Sequence, residues 1–335
     1  MAASDFDRAV EAIRSAPSLA LACHVGPDGD ALGSLLALHH LARAHGMPST
    51  ASWSEPFQVA PHYAFLPGLH LTTKPADFPA EPEVMVTFDC GSLGRLGDLM
   101  PSAQAAAAHG ELIVVDHHAS NDRFGTINVV DPDAAATAVL VHRLAQALGW
   151  SLNRDAALCL YTGLVTDTGR FQYSNTTPSV FELAEELASF DLPIAAISRH
   201  LFEEHRFAYL QMVGACLARA ELDRGLGFVA TWVTNFDLDG FGVDVAETEG
   251  LIDLLRRTAE AEVACVCKET TEGIRVSLRS VSEIDVAAIA ARFGGGGHRY
   301  AAGFVAPYPV VDVLAGIKDA LREQRAQRQL HESGG

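Results

Sequence analysis

The sequence predicts a two-domain α/β protein: a doubly wound parallel-sheet domain over residues 1–190, a helical connector at 191–221 and a smaller α/β domain at 222–335. Three observations predict it. Short, continuous apolar runs, of the kind buried in parallel sheets, alternate with helical stretches as far as about Asp131. From Thr177 to about Ala220 the periodicity is helical almost throughout. Near Glu221 a second alternation of strands and helices begins, and 335 residues suffice for two cores.

In chain order, Met1 to Arg14 places acidic residues among alternating apolar ones and reads as an amphipathic helix, not a secretion signal with a basic start and an apolar middle. Leu19 to Cys23 reads as a strand. Asp30 is expected to cap a helix over Ala31 to His45, ended by Gly46 and Pro48. Strands follow at Val84 to Phe88 and Leu112 to Val115, then helices at Ala134 to Leu148 and Arg154 to Val165. In the second domain, strands are expected at Gly227 to Val233, Ala261 to Cys267 and Gly273 to Arg279. Helices are expected at Glu247 to Arg257, Ile284 to Arg292 and Val311 to Leu330.

Charge narrows the functional classes. Against 24 basic residues stand 42 acidic ones, for a net charge of −18, and no Lys/Arg run offers the footprint needed to grip long duplex nucleic acid. No apolar run approaches the ~20 residues that span a bilayer, so a membrane role is excluded and a cytoplasmic location expected. The six cysteines lie mostly inside apolar runs without CxxC spacing, which suits buried, reduced thiols.

Four acidic and histidine-bearing clusters each end an apolar run: His24 to Asp30, Asp89, Asp116-His117-His118, and Asp167. In an open parallel sheet such strand ends converge on one crevice. Carboxylates and imidazoles without thiolates suit Mn²⁺, Mg²⁺ or similar cations. The turn through Pro27 brings His24 and Asp28 together, while Asp30 points to its other side and can reach a second ion. Asp89 can bridge two ions about 3.5–4 Å apart, the spacing of two-metal phosphoesterases, in which a metal-activated water attacks phosphorus in line. The remaining histidines lack carboxylate company in sequence and read as ordinary surface or packing residues.

Downstream, Gly294 to Gly297 allow backbone N–H groups to converge into an anion-binding nest, to which His298 adds a donor. Arg279, on the preceding strand, is a candidate phosphate or base contact, whereas Arg275 reads as a solvated strand residue.

With these residues in view, the chain resembles the DHH phosphoesterase superfamily, named for the Asp-His-His seen here at 116–118. Gly295 to His298 resembles the Gly-Gly-Gly-His signature of its associated C-terminal domain, and the likeness spans residues 18–305. Length and the Asp-His-His-Ala-Ser-Asn stretch make it most similar to the stand-alone bacterial oligoribonuclease branch. The resemblance implies hydrolysis of very short RNA, 3′-phosphoadenosine 5′-phosphate, or cyclic and linear dinucleotides, with release of 5′-mononucleotides, by a homodimeric enzyme carrying two Mn²⁺. It implies His24, Asp28 and Asp89 as ligands of one ion and Asp30, Asp89, His117 and Asp167 as ligands of the other. His118 would face the scissile phosphate, oriented by Asp116. Arg279, Gly295, Gly296, Gly297 and His298 would hold the rest of the nucleotide. Two positions depart from the family pattern: Gly26, where relatives often carry Asn, and Gln172, where Arg is frequent.

The alternatives are a family-II-like inorganic pyrophosphatase, which shares the metal half but has a different C-terminal domain, and a catalytically inactive nucleotide-sensing module. A long-strand exonuclease of RecJ type would need further nucleic-acid-binding domains.

Overall fold

The computed structural model describes residues 4–307 and 309–333, and the chain divides into two compact units at Glu203/Glu204. The division falls within the stretch expected to be a connector. Its last-but-one helix packs into the core of the first unit through Ile197 and Leu201, and the next helix into the second through Met212, Val213 and Cys216.

The first unit contains α1 (Asp5–Ser15), β1 (Leu19–Cys23), α2 (Gly29–Ala44), β2 (Ser49–Ser52), β3 (Val84–Phe88), α3 (Met100–His109), β4 (Glu111–Asp116), β5 (Ile127–Val130), α4 (Thr137–Leu148), α5 (Arg154–Asp167), α6 (Pro178–Ala188) and α7 (Ile194–Phe202). The five strands pair in parallel in the order β2-β1-β3-β4-β5. The order reverses beside β1, and the carboxyl ends of β1, β3 and β4 lie side by side, where open α/β sheets gather ligands. β1 and β3 are buried at every position, which is why they read as unbroken apolar runs.

Helix α2 is buried on almost every face. It packs against α5 so closely that a Cβ on Gly33 would collide with the carbonyl of Cys159, and one on Gly163 would come within 2.7 Å of Asp30 Oδ1. These contacts fix the depth of Asp30 in the core. Capping differs from the expectation: Asp28 caps α2, its Oδ1 accepting from the amides of Asp30 and Ala31 at 3.1 Å each. Asp30 lies inside the first turn, fully buried. Helix α4 begins at Thr137 instead of Ala134, because the amide of Ala134 closes a turn onto Asp131 O. Helix α5 runs on to Asp167, making that carboxylate its last helical residue.

The second unit contains α8 (Phe207–Ala218), β6 (Glu221–Asp223), β7 (Phe228–Val233), α9 (Asn235–Phe241), α10 (Leu251–Leu255), β8 (Val263–Thr270), β9 (Gly273–Ser280), α11 (Val286–Ala291), β10 (Gly296–His298), β11 (Ala301–Ala306) and α12 (Val310–Ser333). Its six strands order as β10-β11-β9-β8-β7-β6, antiparallel except for the parallel pair β7/β8. The stretch expected as one helix from Glu247 to Arg257 is a 3₁₀ turn at Val245–Gly250 followed by α10. Within the glycine run expected to form an anion-binding nest, Gly296 to His298 form the edge strand β10. A Cβ on Gly295 would strike the carbonyl of Gly303, and one on Gly297 would lie 2.5 Å from Ala301 O, so close approach to β11 demands these glycines. All six cysteines are buried and unpaired.

Candidate metal centre

Eight sequence-selected residues of the first unit meet at the carboxyl ends of β1, β3 and β4. Asp89 follows β3 and adopts φ +57, a left-handed conformation that an aspartate tolerates better than most residues. That turn aims its carboxylate across the strand ends. Its Oδ2 lies 3.6 Å from His24 Nε2, and its Oδ1 lies 3.6 Å from His117 Nε2 and 3.5 Å from His118 Nδ1. One carboxylate therefore faces two histidine groups with its two oxygens. His24 Nε2 is also 3.9 Å from Asp28 Oδ1. On the other side, His117 Nε2 lies 3.0 Å from Asp167 Oδ2 and 3.8 Å from Asp30 Oδ2. Three sets thus have donor atoms within 4.8 Å of one another: His24, Asp28 and Asp89; Asp30, His117 and Asp167; and Asp89, His117 and His118.

Hydrogen bonds behind these groups orient them. His24 Nδ1 meets Val25 O at 3.0 Å and His117 Nδ1 meets Ala134 O at 3.1 Å, which turns each Nε2 toward the carboxylates. Asp30 accepts from the amides of Thr137 (2.6 Å) and Ala138 (2.9 Å) at the start of α4. Asp116 is fully buried. Its Oδ1 meets His118 Nδ1 at 2.8 Å and accepts from the His117 and His118 amides, while Oδ2 accepts from Asn121 Nδ2 at 2.5 Å. Asp116 thereby commits Nδ1 of His118 and fixes the orientation of its ring.

The electrostatics describe a cluster that wants positive charge. Burial opposes protonation of His24, but Asp28 and Asp89 outweigh it and lift the imidazole to about 10. The same contest raises His117, through Asp167, Asp89 and Asp30, and His118, through Asp116 and Asp89. Burial pushes Asp30 and Asp167 up, with help from neighbouring carboxylates, whereas the three histidines hold Asp89 far down. Protons on imidazoles here do what a divalent cation does when it binds.

The donor set fits such a cation. Four carboxylates and three imidazoles converge, and burial raises the thiols of neighbouring Cys23 and Cys90, so they stay protonated and offer no thiolate. A hard to borderline divalent ion matches this chemistry. Side-chain exposure marks the open side: Asp28 is 54% exposed, Asp167 24% and His118 23%, against 7% or less for His24, Asp30, Asp89 and His117.

Residues that sequence reasoning missed complete the centre. Thr137 donates from Oγ1 to Asp89 Oδ1 at 3.0 Å, and Asn175 Nδ2 donates to the carbonyls of Ala135 and Asp167. Arg95 places Nη2 3.1 Å from His24 Nδ1. The glycines around Arg95, at 91, 94 and 97, were the only trace of that loop in the sequence. Of the two departures, Gly26 adopts φ +61 with open space around it, a conformation asparagine also visits. Gln172 is exposed.

In the second unit, the register places His298 opposite Ala301 and Ala301 opposite Arg279, so Arg279 and the glycine strand share one end of the sheet. Arg279 is steadied by Leu278 O at 3.1 Å and Asp253 Oδ1 at 3.8 Å. Arg275, expected to be merely solvated, is half exposed and lies 3.5 Å from Glu249, which also pairs with the fully buried Lys268 at 2.9 Å.

Residues 18–164 match the DHH family, N-terminal domain, and residues 225–326 match the DHHA1 domain. The chain is 32% identical over 286 residues to the bifunctional oligoribonuclease and PAP phosphatase NrnA of Thermus thermophilus, covering 84% of this chain and 82% of the relative. It is 26% identical over 283 residues to the protein of the same name from Bacillus subtilis, covering 84% and 86%. An exopolyphosphatase-related protein from Bacteroides fragilis shares the fold, with a TM-score of 0.86 at 24% identity over 96% of this chain and 97% of the other.

Proposed function

This chain belongs to the DHH family of phosphoesterases, and we propose that it hydrolyses short RNA oligonucleotides and small nucleotides with two divalent cations, Mn²⁺ preferred, releasing 5′-mononucleotides. Substrates of this class are 3′-phosphoadenosine 5′-phosphate and cyclic or linear dinucleotides. The observation that carries the reading is the two-faced placement of Asp89. His24, Asp28 and Asp89 would hold one ion, and Asp30, Asp89, His117 and Asp167 the other. When bound, such ions activate a water and neutralise charge on the phosphoryl oxygens.

The protein groups supply the rest. His118, with Nδ1 on Asp116 and its pKa raised, presents a protonated Nε2 to the phosphate and leaving oxygen. Asp28 and Asp167 border the open side through which the substrate enters. Arg279 and Gly295, Gly296, Gly297 and His298 supply nucleotide contacts from the second unit, a role that fits their shared sheet end. The DHHA1 match favours this reading over the pyrophosphatase alternative. No helix among the described residues is long and apolar enough to cross a membrane. A cytoplasmic homodimer is the form we infer from the family resemblance.

The test is release of phosphate or mononucleotide, with and without Mn²⁺, from pyrophosphate, 3′-phosphoadenosine 5′-phosphate, dinucleotides, and RNAs of five and fifty nucleotides. Activity on the small nucleotides and the five-mer, falling with length and only shallowly with salt, is expected of an acidic surface with few phosphate contacts. Equal rates on the two RNAs, or activity independent of metal, refute the reading.

A further inference from the structure

We propose that Arg95 is a substrate-binding residue that grips a phosphoryl oxygen beside the His24–Asp28–Asp89 group, an inference that rests on the phosphoesterase reading above. Arg95 lies in the 3₁₀ stretch Leu93–Leu99 that follows Asp89. Its main chain is fixed at the metal turn, where its carbonyl accepts from the Val25 amide at 2.9 Å. The far end of the same stretch is tied down as well. Asp98 Oδ2 accepts from Ser54 Oγ at 2.9 Å and from the Glu55 amide at 3.1 Å, and the Asp98 amide donates to Ser54 Oγ at 3.0 Å. The backbone is docked at both ends, and the exposed guanidinium is the part left to move.

Its present contact does not suit the metal-loaded state. Arg95 Nη2 lies 3.1 Å from His24 Nδ1, which is also 3.0 Å from Val25 O. A ring nitrogen carries either a hydrogen or a lone pair, so it can donate to Val25 or accept from Arg95, never both at once. If His24 uses Nε2 as a ligand, Nδ1 holds the hydrogen and the bond to Val25 remains. The guanidinium then loses its acceptor. Although aspartates crowd the centre, Arg95 forms an ion pair with none of them among the described residues, so its forked donors remain for an incoming anion. A phosphate diester or monoester approaching from the open side brings oxygens that match this fork.

Arg95→Ala and Arg95→Lys test the assignment through three readouts: Mn²⁺ content by elemental analysis, affinity of the Mn²⁺-loaded protein for adenosine 5′-monophosphate by calorimetry, and kcat and KM on an RNA dinucleotide. Loss of a charge-assisted bond predicts full metal content, with affinity for the mononucleotide about tenfold or more weaker in the alanine variant, a parallel rise in KM, and partial recovery in the lysine variant. A fall in metal content with unchanged affinity per loaded centre would show that Arg95 only props His24 and would overturn the proposal. So would wild-type affinity in Arg95→Ala. A wild-type chain that takes up no Mn²⁺ and hydrolyses none of the substrates overturns the parent reading and this one together. Failure confined to the variants overturns this one alone.

Discussion

Replacing Asp89 by asparagine isolates the shared carboxylate. The side chain keeps its shape, asparagine tolerates φ +57, and an oxygen remains for the Thr137 hydroxyl now 3.0 Å away. The metal-free fold gives up the pairing of this buried carboxylate with three imidazoles, so each protein's thermal shift is read against its own metal-free form. What disappears is one negative charge that faces His24 on one side and His117 and His118 on the other. Removing even an indirect partner of a metal ligand lowers affinity about 10–100-fold. A donor common to two groups should cost at least that at each, or about 3–5.5 kcal/mol for the pair. Free Mn²⁺ at 100 times Kd stabilises the wild type by about 2.7 kcal/mol per site, worth about 5–11 °C for a unit of this size. At the same Mn²⁺ concentration, the variant should keep between about half and one sixth of that stabilisation at both sites. Asp28→Asn, which touches only the His24 group, should lose one ion's share. Scanning calorimetry with and without Mn²⁺, alongside metal analysis, reads both quantities. Full two-ion occupancy and an undiminished thermal shift in Asp89→Asn would refute the bridging geometry. A deficit identical to that of Asp28→Asn would refute it too.

Three further outcomes are expected. His118→Gln should lower single-turnover rates about 10²–10⁴-fold while retaining Mn²⁺, and a matching loss of metal would make His118 a ligand instead of a proton donor. Gly163→Ala, whose Cβ would stand 2.7 Å from Asp30 Oδ1 and 2.9 Å from Ala138 Cβ, should cost about 1–3 kcal/mol in thermal unfolding and weaken Mn²⁺ binding; unchanged titrations would show that Asp30 is not held by this contact. Burial, with Arg43 and His40 nearby, pushes His39 down to about 4, below its unfolded value of about 6.5. As pH falls the unfolded chain therefore takes the proton first, so stability complete above pH 6.5 is lost towards pH 4. Urea denaturation should show the wild type losing up to about 3 kcal/mol relative to His39→Gln across that window, and parallel curves would refute the assignment.

Much of the centre was legible because its donors follow strands that had to be apolar. β1, β3 and the end of β4 are buried throughout, so the polar residues just beyond them stand out. β2 escaped notice because Ser49–Ser52 is half polar and owes its strand form to pairing with β1. The cap was assigned to Asp30 instead of Asp28 for a tertiary reason. Two residues apart, they are locally equivalent, and only the α4 amides draw Asp30 inward. The glycine run suggested a nest of converging amides, and its pairing as a strand against β11 is a contact between segments that local pattern does not encode. Arg95 was invisible for a related reason, since its position depends on loop docking to Val25 and Ser54.

The order of the donors along the chain has a consequence for synthesis. Every candidate metal donor of the centre lies between His24 and Asp167, inside a first unit that is one contiguous segment ending at Glu203. Once α7 has packed its Ile197 and Leu201, that segment has its whole core and all its donors. The 92 residues at 204–295 take the ribosome roughly 5–18 s to add, at about 5–20 residues per second. A nascent chain thus has time to exchange the protons on its imidazoles for metal before the glycine strand of the second unit exists.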